Sequence, residues 1–99
     1  MYELDDLNMD EAVLKQYSGE EEKITILEKI DNKKIVSVGA FAFSEHREIV
    51  EVTLPETVVS IGAHAFYNCR NLASITLYDT VTDIGDGAFK NCYRLHNIN

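Results

Sequence analysis

Apolar residues recur along this chain in a pattern that returns every 23 residues. The clearest marker is a short run that ends in glycine and occurs three times, as Ile35-Val-Ser-Val-Gly39, Val58-Val-Ser-Ile-Gly62 and Val81-Thr-Asp-Ile-Gly85. The register holds for the positions that follow: Ala42, Ala65 and Ala88; Phe43, Phe66 and Phe89; Ile49, Leu72 and Leu95; Val52, Ile75 and Ile98. A fixed period of this length indicates one supersecondary unit stacked on copies of itself, because neighbouring units bury a face that one unit could not bury alone.

The pattern within one unit predicts two short strands joined by a compact turn. Residues 72–77 alternate between apolar and polar positions, which predicts a strand with Ser74 and Thr76 on its outward side. Residues 58–61 predict a second strand, and Gly62 is expected to allow a sharp bend after it. The apolar residues at 65, 66, 69 and 72 fall on one face of a short helix or 3₁₀ turn. We therefore predict an α/β repeat solenoid with a parallel sheet, short helical or 3₁₀ turns and an N-terminal β cap.

This unit resembles the repeat of the BspA-like leucine-rich-repeat family, which has the form L-x-x-I-x-L-P-x-x-V-x-x-I-G-x-x-A-F-x-x-C. The match is strong from Ile35 onward and weaker before it, where Ile24 aligns with Val52 and about five extra residues fall near 30–34. His46 stands where Cys69 and Cys92 stand in later repeats. The resemblance divides the chain into an N-terminal cap with a first partial repeat at 1–34, and leucine-rich repeats at 35–57, 58–80 and, truncated, 81–99. It also implies kinship with bacterial cell-surface proteins that bind other proteins.

Composition narrows the function classes. The chain has 99 residues, which is one small domain, and its 17 acidic and 9 basic residues give a net charge of -8. That charge repels phosphate backbones and anionic membrane surfaces, so we predict no direct nucleic-acid binding. No window approaches the 18 or more consecutive apolar residues of a membrane span, so we predict no membrane insertion. Cys69 and Cys92 are too few for a disulfide scaffold and are expected to be core thiols.

The sequence offers no set of residues for catalysis. His46, His64 and His96 fall at different phases of the repeat and are not expected to meet. There is no acid pair, Ser-His-Asp set, glycine-rich phosphate loop or metal-ligand spacing. We therefore predict a protein that is not an enzyme and that uses no cofactor or metal.

The outward positions of the predicted strands form a polar ladder, and this ladder is the leading candidate for a partner-binding face. A flat polar sheet face suits protein binding, and its alternative role is simply a solvated surface. We predict a non-enzymatic protein–protein interaction module that uses this face. The candidate residues are Thr25, Glu51, Thr53, Ser74, Thr76 and Asn97.

A second hypothesis rests on the acidic N-terminal segment, which is either a solvated cap or an anionic patch that docks on a basic protein. In the second case the chain is a small acidic intracellular inhibitor, of the kind found on mobile elements, that blocks a basic site on a nuclease or another nucleic-acid-binding protein. Without a signal-peptide pattern the chain is expected in the cytoplasm if it is complete, and at the cell surface if it is part of a longer protein. The candidate residues are Glu3, Asp5, Asp6, Asp10, Glu11, Glu20, Glu21 and Glu22.

The C-terminal end carries apolar residues that need a cover. Phe89, Leu95 and Ile98 are expected to line the open end of the last repeat. A second copy packed end to end, as a two-fold homodimer, would cover them, and so would a further repeat.

Overall fold

The computed structural model describes residues 1–98, and within that range the chain forms ten strands and no helix, hence none long and apolar enough to cross a membrane. The strands are β1 (Tyr2–Asp6), β2 (Glu11–Tyr17), β3 (Lys23–Thr25), β4 (Lys29–Ile30), β5 (Lys33–Val38), β6 (Glu51–Thr53), β7 (Ser60–Ile61), β8 (Ser74–Thr76), β9 (Asp83–Ile84) and β10 (Asn97–Ile98).

The strands build two sheets that run along the stack of repeats. Sheet A has the spatial order β1-β2-β5-β7-β9, with β4 also paired to β5, and sheet B has the order β3-β6-β8-β10. The strands pair in parallel from β2 to β9 in sheet A and throughout sheet B, whereas β1 pairs with β2 antiparallel. The predicted solenoid with parallel sheet and N-terminal β cap is confirmed.

The strand pairing follows the 23-residue repeat, and the extra residues near 30–34 form a single local insertion. Val52 pairs with Ile75, which lies 23 residues later, and Ile24 pairs with Val52, as the sequence alignment predicted. The extra residues form β4 and its antiparallel hairpin with β5. Asp31 and Asn32 form the tip with φ values of 50° and 66°, the left-handed pair that a two-residue type I′ hairpin turn requires.

The predicted short helices are absent, and consecutive turns take their place. The turn amides alternate between two kinds of acceptor: Ala42 N donates to Gly39 O three residues back, whereas Phe43 N donates to Ala65 O in the next repeat. The reason is local: Phe41 and Glu45 have φ values of 59° and 66°, and such left-handed residues break the helical run of donors. Backbone hydrogen bonds therefore connect each turn to the next repeat. A helix would not permit these bonds, because its amides donate within the helix.

The glycines at 39, 62 and 85 do not serve the sharp bend that the sequence suggested, since none of them has a positive φ. The close approach of neighbouring repeats requires them instead. A Cβ at Gly62 would lie 2.6 Å from Ala40 N, and one at Gly85 would lie 2.5 Å from Ala63 N.

The core is a column of stacked rings surrounded by aliphatic side chains. Phe43 and Phe66 are fully buried and stack with centroids 5.0 Å apart, and Phe89 continues the stack 5.4 Å from Phe66. Tyr17 lies 5.3 Å from Phe43, and Tyr2 on β1 closes the column 5.5 Å from Tyr17. The β cap thus covers the N-terminal end of the core with an aromatic ring of its own.

A column of hydrogen-bonded polar side chains in the turns, separate from the polar rows of the strands, runs beside this core. Asn68 is buried, donates its amide to both carboxylate oxygens of Glu45 at 3.2 Å, and accepts a hydrogen bond from Asn91 Nδ2 at 2.8 Å. All three residues occupy the same position of the repeat and have positive φ, which asparagine tolerates better than most residues. These hydrogen bonds satisfy polar groups whose burial would otherwise destabilise the fold.

Candidate functional site

The predicted polar ladder lies on sheet B in two straight rows. One row contains Thr25, Thr53 and Thr76, and the other contains Glu51, Ser74 and Asn97 together with Lys23, which the sequence analysis missed. The strand residues between the two rows point inward. Of these, Ile24, Val52 and Ile75 are buried. We call the seven outward residues the polar sheet face.

The polar sheet face keeps its hydrogen-bonding groups available. Thr53, Ser74 and Thr76 are half-buried, and the other four residues of the face are exposed. Within residues 1–98, no side chain of the face makes a hydrogen bond or an ion pair to another residue. The sheet backbone fixes the spacing between rows, so the face offers hydroxyl, amide and charged groups on a rigid support.

A groove of about 410 Å³ runs along the amino-terminal ends of β3, β6 and β8, directly beside the polar sheet face. Val50 and Ala73 lie one position before Glu51 and Ser74 of the face, so groove and face are continuous. Its lining residues are Glu20, Glu22, Arg47, Glu48, Val50, Asn71, Ala73 and Arg94, and we call it the Glu–Arg groove. The sequence signal that could have revealed it is the charged and amide set at 48, 71 and 94, one repeat apart.

A larger groove of about 650 Å³ lies where the β1–β2 turn meets the β4–β5 hairpin. Two of its charged residues pair with each other, since Lys34 Nζ lies 3.6 Å from Glu11, and the adjacent Lys33 Nζ donates to the Asn8 carbonyl at 2.7 Å. These contacts connect the two hairpins. We therefore interpret this groove as a structural feature of the N-terminal cap.

The acidic residues of the N-terminal segment lie on two stretches of the chain. The residues Glu3, Asp5, Asp6, Asp10 and Glu11 belong to the β1–β2 hairpin, whereas Glu20, Glu21 and Glu22 belong to the segment that leads into β3. Three of the hairpin acids have lysine partners: Glu3 with Lys15, Asp6 with Lys33 and Glu11 with Lys34, at 3.5 to 3.6 Å. The inhibitor hypothesis stays a prediction of the sequence.

His46 has a structural environment that explains why it replaces cysteine. Its Nε2 lies 3.1 Å from the Tyr17 carbonyl, and its Nδ1 lies 2.8 Å from Glu48 Oε1. Burial alone would raise the pKa of Glu48, but the hydrogen bond from His46, a bond from its own backbone and the His46 charge lower it below its usual range. The pair fastens the β cap to the first full repeat.

The two cysteines behave as core thiols. Cys69 Sγ donates to the Phe43 carbonyl and Cys92 Sγ to the Phe66 carbonyl, both at 3.0 Å. Burial raises the pKa of Cys69 to about 12 and also raises that of Cys92, so both remain protonated donors near neutral pH. Neither is a thiolate nucleophile.

The histidines stay apart, as predicted. His64 stacks on the half-exposed ring of Phe41, with centroids 4.9 Å apart, and His96 is exposed with Nδ1 2.8 Å from the Arg94 carbonyl. In the part of the chain that the structure describes, no three His, Cys, Asp or Glu side chains are grouped as metal ligands.

The C-terminal layer exposes apolar surface. Phe89 and Leu95 are half-buried against the core, Ile98 is 56% exposed, and Ile84 beside them is 53% exposed. These residues belong to the last described layer of the stack. A second copy at this end remains a prediction.

Comparison with known proteins places this architecture. A model of the BspA-type leucine-rich-repeat region matches residues 17–99 in six copies. Among solved structures, a leucine-rich cell-surface protein from Faecalibacterium prausnitzii is 32% identical with a TM-score of 0.86, and the match covers 98% of this chain and 28% of that one. The T. pallidum leucine-rich-repeat protein is 31% identical with a TM-score of 0.93, over 99% of this chain and 46% of that one.

A leucine-rich-repeat protein from Bacteroides ovatus is also similar, with 30% identity and a TM-score of 0.78, over 99% of this chain and 27% of that one. No curated protein matches the chain. The chain therefore spans less than half the length of each of these three bacterial proteins. The match to the repeat model and the shared solenoid lead to one conclusion: this chain belongs to the BspA-type leucine-rich-repeat family.

Proposed function

We propose that the chain is a non-enzymatic protein–protein interaction module that docks its partner on the polar sheet face. The observation that carries the proposal is the state of that face: two straight rows of polar side chains on a rigid parallel sheet, none of which forms a side-chain hydrogen bond or ion pair with another residue in the range 1–98. A partner can pair these groups without first breaking internal contacts. Such preorganisation lowers the free-energy cost of association.

The family supports the same function. The similar protein from Faecalibacterium prausnitzii is a leucine-rich cell-surface protein, and repeat arrays of this kind present extended surfaces to other proteins. The raised pKa of both thiols also argues against cysteine-based catalysis, since a protonated buried thiol is a poor nucleophile. An interaction role uses what the fold displays and needs no reactive group.

The test compares two variants that place the same arginine on opposite sheets. Thr53→Arg alters the polar sheet face, and Thr82→Arg alters an exposed residue next to β9 on sheet A. Tagged wild-type and variant chains are used to capture proteins from the cells that make the chain, and the captured proteins are quantified by mass spectrometry. We expect proteins that bind the wild type and Thr82→Arg equally to be lost with Thr53→Arg. Equal capture by all three chains would contradict the proposal.

A further inference from the structure

Four lining residues of the Glu–Arg groove occupy one column across the stack. Strands β3 and β6 pair Lys23 with Glu51, and Glu20 and Glu48, which line the same groove, lie three positions before that pair. One repeat later comes Asn71, and one repeat after that comes Arg94. The charge therefore changes from negative at the cap end, through a neutral amide, to positive at the last repeat.

The rest of the groove fits a segment of chain rather than a small anion. Its floor is Val50 and Ala73, which are small and apolar, and Glu22 adds a second acid at the cap end. Asn71 donates its amide to the Arg47 carbonyl at 2.8 Å, which fixes the middle of the wall. Neither arginine of the groove forms an ion pair with another residue in the range 1–98.

The length of the column matches an extended peptide. Neighbouring strands lie roughly 4.8 Å apart, so the Glu20 and Arg94 layers are separated by roughly 14 Å. In an extended chain the side chains of residues i, i+2 and i+4 lie on one face, and i and i+4 are separated by about 13 to 14 Å. The middle residue of the three would lie over the apolar floor.

We propose that the Glu–Arg groove binds an extended segment of a partner protein in which a basic and an acidic residue are four positions apart with an apolar residue midway. The basic side chain lies against Glu20 and Glu22, and the acidic one against Arg94. This inference rests on the proposed function, because the groove adjoins the polar sheet face. It specifies which kind of partner segment binds beside that face.

The probe is the peptide acetyl-Lys-Thr-Val-Thr-Asp-amide, added to the isotope-labelled full chain and followed by amide chemical shifts. The control is acetyl-Thr-Val-Lys-Asp-Thr-amide, which has the same composition and net charge but adjacent charges. We expect the probe to shift the amides of Val50, Asn71 and Ala73, and to bind at least about fivefold more tightly than the control. β-branched residues keep both peptides extended.

Two charge reversals make the test specific. Arg94→Glu is expected to weaken the probe at least about fivefold and to favour a peptide with lysine at both ends. Arg70→Glu makes the same charge change on an exposed residue outside the groove and is expected to leave binding unchanged. The amide spectrum of each variant shows whether it is folded.

Three results would overturn the inference: no shifts in these amides up to about 10 mM peptide, equal binding of probe and control, or an equal effect of both reversals. Shifts of the same amides that depend on the concentration of the chain alone would also overturn it, since they would identify a second copy as the occupant. If the peptides fail while Thr53→Arg still abolishes capture, the groove inference fails and the proposed function stands.

Discussion

Single residues at one position of the repeat connect neighbouring repeats. His46, Cys69 and Cys92 each direct a hydrogen-bonding group at a backbone carbonyl of the preceding unit, at 3.0 to 3.1 Å. A carbonyl only accepts, so the imidazole must carry its hydrogen on Nε2, just as each thiol donates through sulfur. Histidine can replace cysteine here because Glu48 holds its second nitrogen.

The contact between Glu48 and His46 predicts a pH effect on stability. The pKa of Glu48 is lowered from its usual 4.5 in the folded chain, so the pair stabilises the fold above that value and its contribution is lost as the pH falls through the lowered pKa. Urea unfolding of Glu48→Gln should show a smaller free energy of unfolding than wild type near pH 7, and the difference should shrink near pH 3. Glu56→Gln, at an exposed position, is the control and should match wild type at both pH values. A wild-type advantage over Glu48→Gln that persists in acid would rule out the pair as its source.

Elements in this fold are defined by contact between repeats more than by their own propensity. The turn after each strand donates alternate amides to the next repeat, which requires the repeats to approach closely at the glycine positions. Local patterns in the sequence report which residues point inward, and so the buried set at Ala65, Phe66, Cys69 and Leu72 was predicted correctly. Local sequence patterns do not report where a backbone amide points, and so the sequence predicts short helices where the structure has turns.

Two glycines that look equivalent in the sequence should respond differently to substitution. Gly62→Ala places a methyl group 2.6 Å from a backbone nitrogen that cannot move alone, whereas the contacts at Gly39 are 3.1 Å or longer. We expect Gly62→Ala to destabilise the fold by about 2 to 3 kcal/mol and Gly39→Ala by less than about 1 kcal/mol, measured by urea unfolding. Equal losses would show that bending, and not close approach, explains the glycines.

The aromatic column should be the most sensitive part of the core. Phe66 is fully buried between Phe43 and Phe89, so Phe66→Ala should cost about 3 to 5 kcal/mol. Phe41 lies outside the column and is 49% exposed, so Phe41→Ala should cost less than about 1.5 kcal/mol. Thermal melts followed by circular dichroism compare the two, and an intact melt for Phe66→Ala would refute the assigned core.

The whole molecule is a short stack whose two ends differ. The N-terminal end is covered by β1 and Tyr2, while the last described layer exposes Ile84 and Ile98. The period of 23 residues was enough to predict this stacking, the parallel sheets and the placement of the polar sheet face. It did not predict β1, which lies before the first repeat, or the part of the Glu–Arg groove that Glu20 and Glu22 line, because the extra residues before β5 shift these acids relative to the regular repeat.

The exposed apolar layer predicts self-association of the 99-residue chain. Light scattering behind a sizing column should give the mass of a dimer at both low and high salt, because an apolar interface is little screened by ions. Ile84→Lys should give a folded monomer, since Ile84 is more than half exposed. A wild-type monomer at micromolar concentration would contradict this prediction.

Site-specific photo-cross-linking in the producing cells tests directly whether the polar sheet face is the docking surface. A photoreactive residue at Thr53 or Thr76 is compared with one at Ser60 or Thr82 on the opposite sheet. We expect discrete adducts with the same protein from both positions on the face and none from the opposite sheet. Adducts that form equally from both sheets, or only from Ser60 and Thr82, would contradict it.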